Sequence, residues 1–319
     1  MTDVPPGLQP APAPAARAWG PRFPEYLDST MISAYKSCPY KFFLEYVLNL
    51  KPKELSVHLH AGASFAAGLE AARNAFYVQG KDASESEAIG LGALLQAYGA
   101  FECPPDSAKS AARMAGAMEF YFDNYPLGAD GAVPITLPGG KRGIEVSFAE
   151  PLPIQHPVTG NPLLYCGRLD MAANFAGGLF VEDDKTTSQL GATWSKQWDL
   201  RSQFTGYCWG MWKAAGIRPN GVLVRGVSIL KTRYDTQQAI TYRDERQIEE
   251  WYNVMLDCVR DMLRDWERRW WRKDLDHACT EYGGCPFRNP CMSPDPAPWL
   301  EQYFEPRLWN PLTREEKPL

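Results

Sequence analysis

One stretch constrains this chain more than any other: residues 167–187, GRLDMAANFAGGLFVEDDKTT. Two apolar runs flank Gly177-Gly178, a dipeptide that favours a two-residue hairpin turn. The second run passes straight into Glu182, Asp183, Asp184 and Lys185. Three adjacent carboxylates repel one another, so a purely structural role is costly. With the turn at 177–178, Ala176 faces Leu179, Ala172 faces Asp183 and Asp170 faces Lys185. Side chains alternate along a strand, so Asp183 and Lys185 point one way and Glu182 and Asp184 the other. Asp170 then shares the face of Asp183 and Lys185. A one-residue slip would scatter this arrangement. Two converging carboxylates suit a hard divalent ion that keeps several waters. A metal-activated water beside a lysine is equipped to attack a phosphodiester. The competing reading is a surface hairpin whose acids are merely solvated.

The rest of the chain frames this hairpin. Residues 1–24 are rich in Pro and Ala and read as a disordered leader. Helical periodicity follows from Ser29 or Thr30, either a candidate cap, through DSTMISAYKSCPYKFFLEYVLNL. More helix is expected in AGASFAAGLEAARNAFYVQG, at 84–100 and at 107–125. Strands are expected in GIEVSFAEPLPI, LLYCGRLDMAANF, LFVEDDKT, GVLVRGVSIL and TQQAITYR, with a helix at 195–215 and a long one at 244–272. An irregular Cys/Pro/Gly loop and an aromatic tail end the chain. This order predicts an α/β (α+β) fold, with hydrophobic content of 45% over 319 residues to build its core. One domain is expected over 25–293: a helical part at 25–130, the sheet and following helix at 131–243, and the long helix and Cys loop at 244–293. Residues 294–319 form the tail. A net charge of −5 excludes a global basic field, so any nucleic-acid contact must be local. No apolar run reaches 18 residues and the N-terminus lacks a signal-peptide core, so no membrane partner and a cytoplasmic location are expected.

The pattern Gly167-Arg168-Leu169-Asp170, twelve residues, then Asp183-Asp184-Lys185-Thr186-Thr187 resembles the core of the PD-(D/E)XK nucleases. It is most similar to their RecB-like branch, which includes the AddB nuclease domain and CRISPR-associated exonucleases. That branch carries a Gln-x-x-x-Tyr helix, and Gln203 and Tyr207 stand four apart in LRSQFTGYCWG. The resemblance implies a restriction-endonuclease-like mixed sheet flanked by helices. It implies that Asp170 and Asp183 bind Mg²⁺ or Mn²⁺, with the Asp184 carbonyl as a further ligand. Lys185 would orient or activate water, and Gln203 and Tyr207 would steady the site and touch DNA. Glu145 is a candidate auxiliary acid. One element departs from the pattern: Ala66 occupies the position of a histidine ligand in the early helix, and His58 and His60 lie too far upstream to replace it. Glu70, one turn beyond Ala66, is the candidate substitute.

Eight cysteines are too few for a disulfide scaffold of this size. Cys103, Cys166, Cys208 and Cys258 sit among apolar neighbours and read as core. Cys279, Cys285 and Cys291 crowd thirteen residues with Gly283, Gly284, Pro286 and Pro290. With Cys38 they resemble the iron–sulfur staple of AddB and the CRISPR-associated exonucleases, which implies a [4Fe–4S] cluster on four thiolates. Zinc is the alternative, although zinc sites prefer closer cysteine pairs. A cluster there would tie the two ends of the chain together.

Arg260, Arg264, Arg268 and Arg272 recur every four residues on the long helix. They either track phosphates, with Trp270 or Trp271 stacking on bases, or pair with Asp257, Asp261 and Asp265 three residues earlier. Lys36, Lys41 and Arg168 are other phosphate candidates. The expected function is a metal-dependent DNA exonuclease of phage or bacterial recombination and repair, with DNA and a recombination protein as partners. The alternatives are a non-catalytic nuclease-fold module that binds DNA or a protein partner, and a zinc-stapled interaction protein.

Overall fold

The computed structural model describes residues 21–280, 284–313 and 315–318. Residues 1–20, most of the expected leader, lie outside them. The elements run β1 (Tyr26–Leu27), α1 (Ser29–Ser37), α2 (Pro39–Phe42), a π-helical turn (Phe43–Val47), β2 (Leu50–Pro52), α3 (Val57–Tyr77), α4 (Ala83–Tyr98) and α5 (Ala111–Asn124). There follow β3 (Val133–Pro134), β4 (Ile144–Gln155), β5 (Pro162–Phe175), β6 (Gly178–Thr187), α6 (Ala192–Lys196), α7 (Ser202–Ala215), β7 (Gly221–Ile229) and β8 (Tyr234–Tyr242). The chain closes with α8 (Glu245–Arg268), α9 (His277–Thr280), α10 (Arg288–Met292), α11 (Ala297–Tyr303), β9 (Phe304–Asn310) and β10 (Glu315–Pro318). The fold is thus mixed α/β, with a central mixed sheet and flanking helices. The described residues form two compact units, one of residues 55–150 and 167–252, the other drawn from residues 21–54, 151–166 and those described from 253 onward.

The first unit holds the acidic hairpin. β6 runs antiparallel to β5, parallel to β7, and β7 antiparallel to β8. Every residue of β7 is buried, as expected of a strand paired on both edges and covered on both faces. Phe65, Leu69, Leu94, Met114 and Met118 of α3, α4 and α5 form one core with Val227 and Ile229. On the other side α7 approaches closely at Gly210. A Cβ there, or at Gly167 of β5, would meet the Phe148 ring at 2.3 Å or 2.4 Å, so both positions require glycine for the helix to seat.

The hairpin turn differs from expectation. Its two turn residues are Ala176 (φ 47°) and Gly177 (φ 80°), a left-handed pair, and the pairing is Phe175↔Gly178, Asn174↔Leu179, Ala172↔Val181 and Met171↔Glu182. Glycine at the second position admits the primed turn that strand twist favours, and Ala176 carries the strain. Moving the turn by one residue displaces every partner by two. An even displacement keeps each side chain on its face, so the facing prediction survives although the partners change.

In the second unit Asp28, not Ser29 or Thr30, caps α1, accepting from Met31 N at 2.8 Å and from Trp309 Nε1 at 2.8 Å. The helix expected to run on from there breaks at Cys38, which is extended (φ −161°, ψ 110°) and precedes Pro39. Proline disfavours helical backbone in the residue before it and starts a new helix well. Leu44, Phe287, Leu300 and Phe304 make a small core in which the Phe287 and Phe304 rings stack at 4.7 Å. The segment expected as a tail folds: α11 leads into β9, which pairs with β2 and β10. The Cys loop, expected to be irregular, contains α9 and α10. Met255, Val259 and Met262, spaced by three and four along α8, are buried. Arg260 bonds Asp257 at 2.6 Å, Arg264 pairs with Asp261, and Arg272 bonds Asp274. The row is therefore largely satisfied along its own chain. No helix among the described residues is long and apolar enough to cross a membrane.

Candidate active site

Past Met171↔Glu182, the next positions along the antiparallel pair are Asp170 and Asp183. The amide of Asp184 donates to Asp170 Oδ2 at 2.9 Å, fixing one carboxylate against the strand that carries the other. Asp183 is only 2% exposed, and its Oδ1 is buried without an aligned hydrogen bond. The Lys185 ammonium lies against that oxygen as an ion pair. Burial pushes the Asp183 carboxyl up to about 6, Lys185 works against that, and the charge of Asp170 adds to it. Burial alone would lower Lys185, but Asp183 and Asp170 outweigh it and hold the ammonium protonated. The arrangement is a buried Asp183 carboxylate paired with a half-buried lysine, with the half-buried Asp170 anchored to the same strand.

A second acidic group flanks Asp170. Arg168, two residues earlier on β5, donates from Nε to Glu145 Oε2 at 2.5 Å and from Nη2 to Glu70 Oε1 at 3.1 Å. Glu145 has φ 50°, which a non-glycine residue adopts at a cost. Burial, then the charge of Asp170, raises its carboxyl to about 7 despite Arg168. Ala66 on α3 carries no donor, and His60 is spent on the Tyr98 carbonyl and the Phe101 ring.

On α7, Gln203 Nε2 donates to Tyr207 Oη at 2.9 Å, so the two act as one polar unit. Phe204 between them is fully buried, and its ring centroid lies 6.0 Å from Lys185 Nζ. The helix is thereby set beside the lysine.

The opposite face of β6 is a buried ion network. Glu182 is fully buried and bonds Arg73 Nη2 at 2.5 Å, with Arg225 Nη1 at 3.3 Å. Arg73 Nη1 lies 2.8 Å from Asp184 Oδ2, and Tyr121 Oη donates to Asp184 Oδ1 at 2.6 Å. Arg225 also bonds Asp130 at 2.5 Å. Glu182 is raised to about 7, by burial first, against the pull of both arginines. The alternating acids are thus clamped from behind while Asp183 faces forward. A signal for this existed: Arg225 interrupts an otherwise apolar strand, where a charge requires a buried partner.

The four candidate cluster ligands share the second unit. Burial raises Cys285, and the charges of Cys38 and Cys279 act on it; Cys291 rises to about 11, chiefly by burial, and feels Cys285, Cys38 and Cys279. Lys41 and Lys273 pull these thiols the other way. Cys166, Cys208 and Cys258 are buried as expected, whereas Cys103 is half-exposed. Among the described residues no three His, Cys, Asp or Glu side chains stand as a ready-made metal group, at the thiols or at the hairpin.

No curated protein matches the chain in sequence. Among solved structures, one from Eubacterium rectale, provisionally described as an exonuclease, is 12% identical over 81% of this chain and 88% of its own, with a TM-score of 0.47. Another, described as SSO0001, is 15% identical over 61% of this chain and 73% of its own, with a TM-score of 0.25. The family model of the PD-(D/E)XK nuclease superfamily matches residues 29–292, which include both halves of the acidic hairpin, α7 and the four cysteines. The chain belongs to the PD-(D/E)XK nuclease superfamily.

Proposed function

We propose that the chain is a metal-dependent deoxyribonuclease that hydrolyses DNA from its ends. The observation that carries this reading is the anchoring of Asp170 to the strand that carries Asp183, through the Asp184 amide on Asp170 Oδ2, with Lys185 ion-paired to Asp183. The donor set fits Mg²⁺ or Mn²⁺: two hard carboxylates, one of them almost fully buried, leave most coordination positions to water. Asp170, Asp183 and the Asp184 carbonyl would hold the ion. A bound divalent cation would polarise the scissile phosphate and ease deprotonation of the attacking water. Lys185 positions that water and offsets charge on the phosphate. Gln203 and Tyr207, joined as one unit, steady the site and touch the DNA strand. Glu145 and Glu70 stand behind Asp170 as auxiliary acids.

Cys38, Cys279, Cys285 and Cys291 would carry a [4Fe–4S] cluster. Four sulfur donors within one unit support this, with Cys285 and Cys291 packed against the same small core. With Cys38 and Cys279 241 residues apart, such a clasp would close a long loop that weak contacts close at an entropic cost.

The test is purification without oxygen, followed by incubation with end-labelled linear DNA and covalently closed circular DNA in Mg²⁺ or Mn²⁺. Loss of linear but not circular substrate supports end-directed cleavage. Intact linear DNA with either ion contradicts the nuclease reading.

A further inference from the structure

We infer that Arg168 supplies a built-in second positive charge of the active site, so that the chain holds one catalytic divalent ion and not two. The inference rests on the active-site reading above. Arg168 and Asp170 are two apart on β5 and therefore share a face, while Leu169 between them is fully buried on the other. The guanidinium spans two acids. Its Nε side bonds Glu145 at 2.5 Å, and its Nη2 side bonds Glu70 at 3.1 Å. These are the acids that could join Asp170 in holding a second ion, and the guanidinium already occupies them both. Glu145 accepts this role from a left-handed backbone that glutamate adopts only at a cost. Arg168 has an exposed fraction of 24%, so the charge sits at the mouth of the site and not in the core.

A second ion would have to displace the guanidinium from both carboxylates while lying next to the first ion. Arginine suits this post because its charge is permanent and its planar fork reaches two carboxylates at once.

The experiment is titration of the full chain with Mn²⁺, read by calorimetry and by electron paramagnetic resonance. The wild type is expected to bind one ion in the site, with no spin-coupled pair. Arg168→Gln keeps polarity but removes the charge; it is expected to bind two ions, with a coupled manganese signal. Arg168→Lys retains a charge and is expected to bind one. Two ions in the wild type, or one ion of unchanged affinity in Arg168→Gln, would overturn the inference while leaving the nuclease reading intact. Asp183→Asn serves as the blank, and Mn²⁺ uptake that ignores this substitution would remove the site itself and the inference with it.

Discussion

Arg73 on α3 and Glu182 on β6 are bonded at 2.5 Å with both side chains almost fully buried. The pair belongs to a network in which Asp184, Tyr121, Arg225 and Asp130 complete the hydrogen bonding behind the acidic strand. Residues 182 and 184 are held from one side, so residue 183 is aimed to the other. The stability of the strand and the orientation of Asp183 thus have one cause.

Arg73→Met should destabilise the fold by about 3–5 kcal/mol, because it leaves two buried acids without their shared cation. Glu182→Gln should cost less, about 1–3 kcal/mol, since Arg73 keeps Asp184 and Arg225 keeps Asp130. Urea unfolding of the two variants checks the order. Equal or negligible losses would mean that the network contributes nothing.

Stability of the metal-free protein should fall as pH rises from about 4 to about 7. Glu145 and Glu182 rise to about 7 from 4.5, and Asp183 to about 6 from 3.8. A raised carboxyl binds its proton more tightly when folded. That contribution is complete below the unfolded value and lost as pH passes the folded one. Thermal melting at pH 5 and pH 8 measures the slope, and Glu145→Gln should flatten it. A melting temperature that climbs with pH in the metal-free wild type, unchanged in Glu145→Gln, would contradict the assignment.

Cys38→Ser and Cys285→Ser should each abolish bound iron and the broad visible absorption near ~400 nm, and lower the melting temperature. Iron analysis on protein purified without oxygen provides the check. Iron content and melting unchanged in both variants would exclude the clasp.

Much of this was legible in the sequence, for physical reasons. Strand alternation gave the shared face of Asp170, Asp183 and Lys185, and it was robust because the true turn, at Ala176-Gly177, shifts partners by an even number. The resemblance gave the Gln203–Tyr207 pair, whose spacing of four places both on one face of α7. Partners distant in sequence were not legible. Nothing near Glu182 announces Arg73, which is 109 residues away, and nothing near Arg168 announces Glu70, 98 residues away. The cap at Asp28 was missed because Ser29 and Thr30 offer equally good capping oxygens one and two residues later. The fold of the last residues was missed because β9 depends on β2 for its pairing, more than 250 residues earlier.

The most direct test of the account is cleavage of end-labelled linear DNA in Mg²⁺ by Asp183→Asn, with Lys185→Ala beside it and melting curves for both. Asparagine keeps the shape of the side chain and removes the charge that would hold the ion. The account predicts a folded Asp183→Asn protein with cleavage at background and weakened Mn²⁺ binding, and a Lys185→Ala protein equally inactive that still binds the ion. Wild-type cleavage by folded Asp183→Asn would contradict it and put the chemistry elsewhere in the chain.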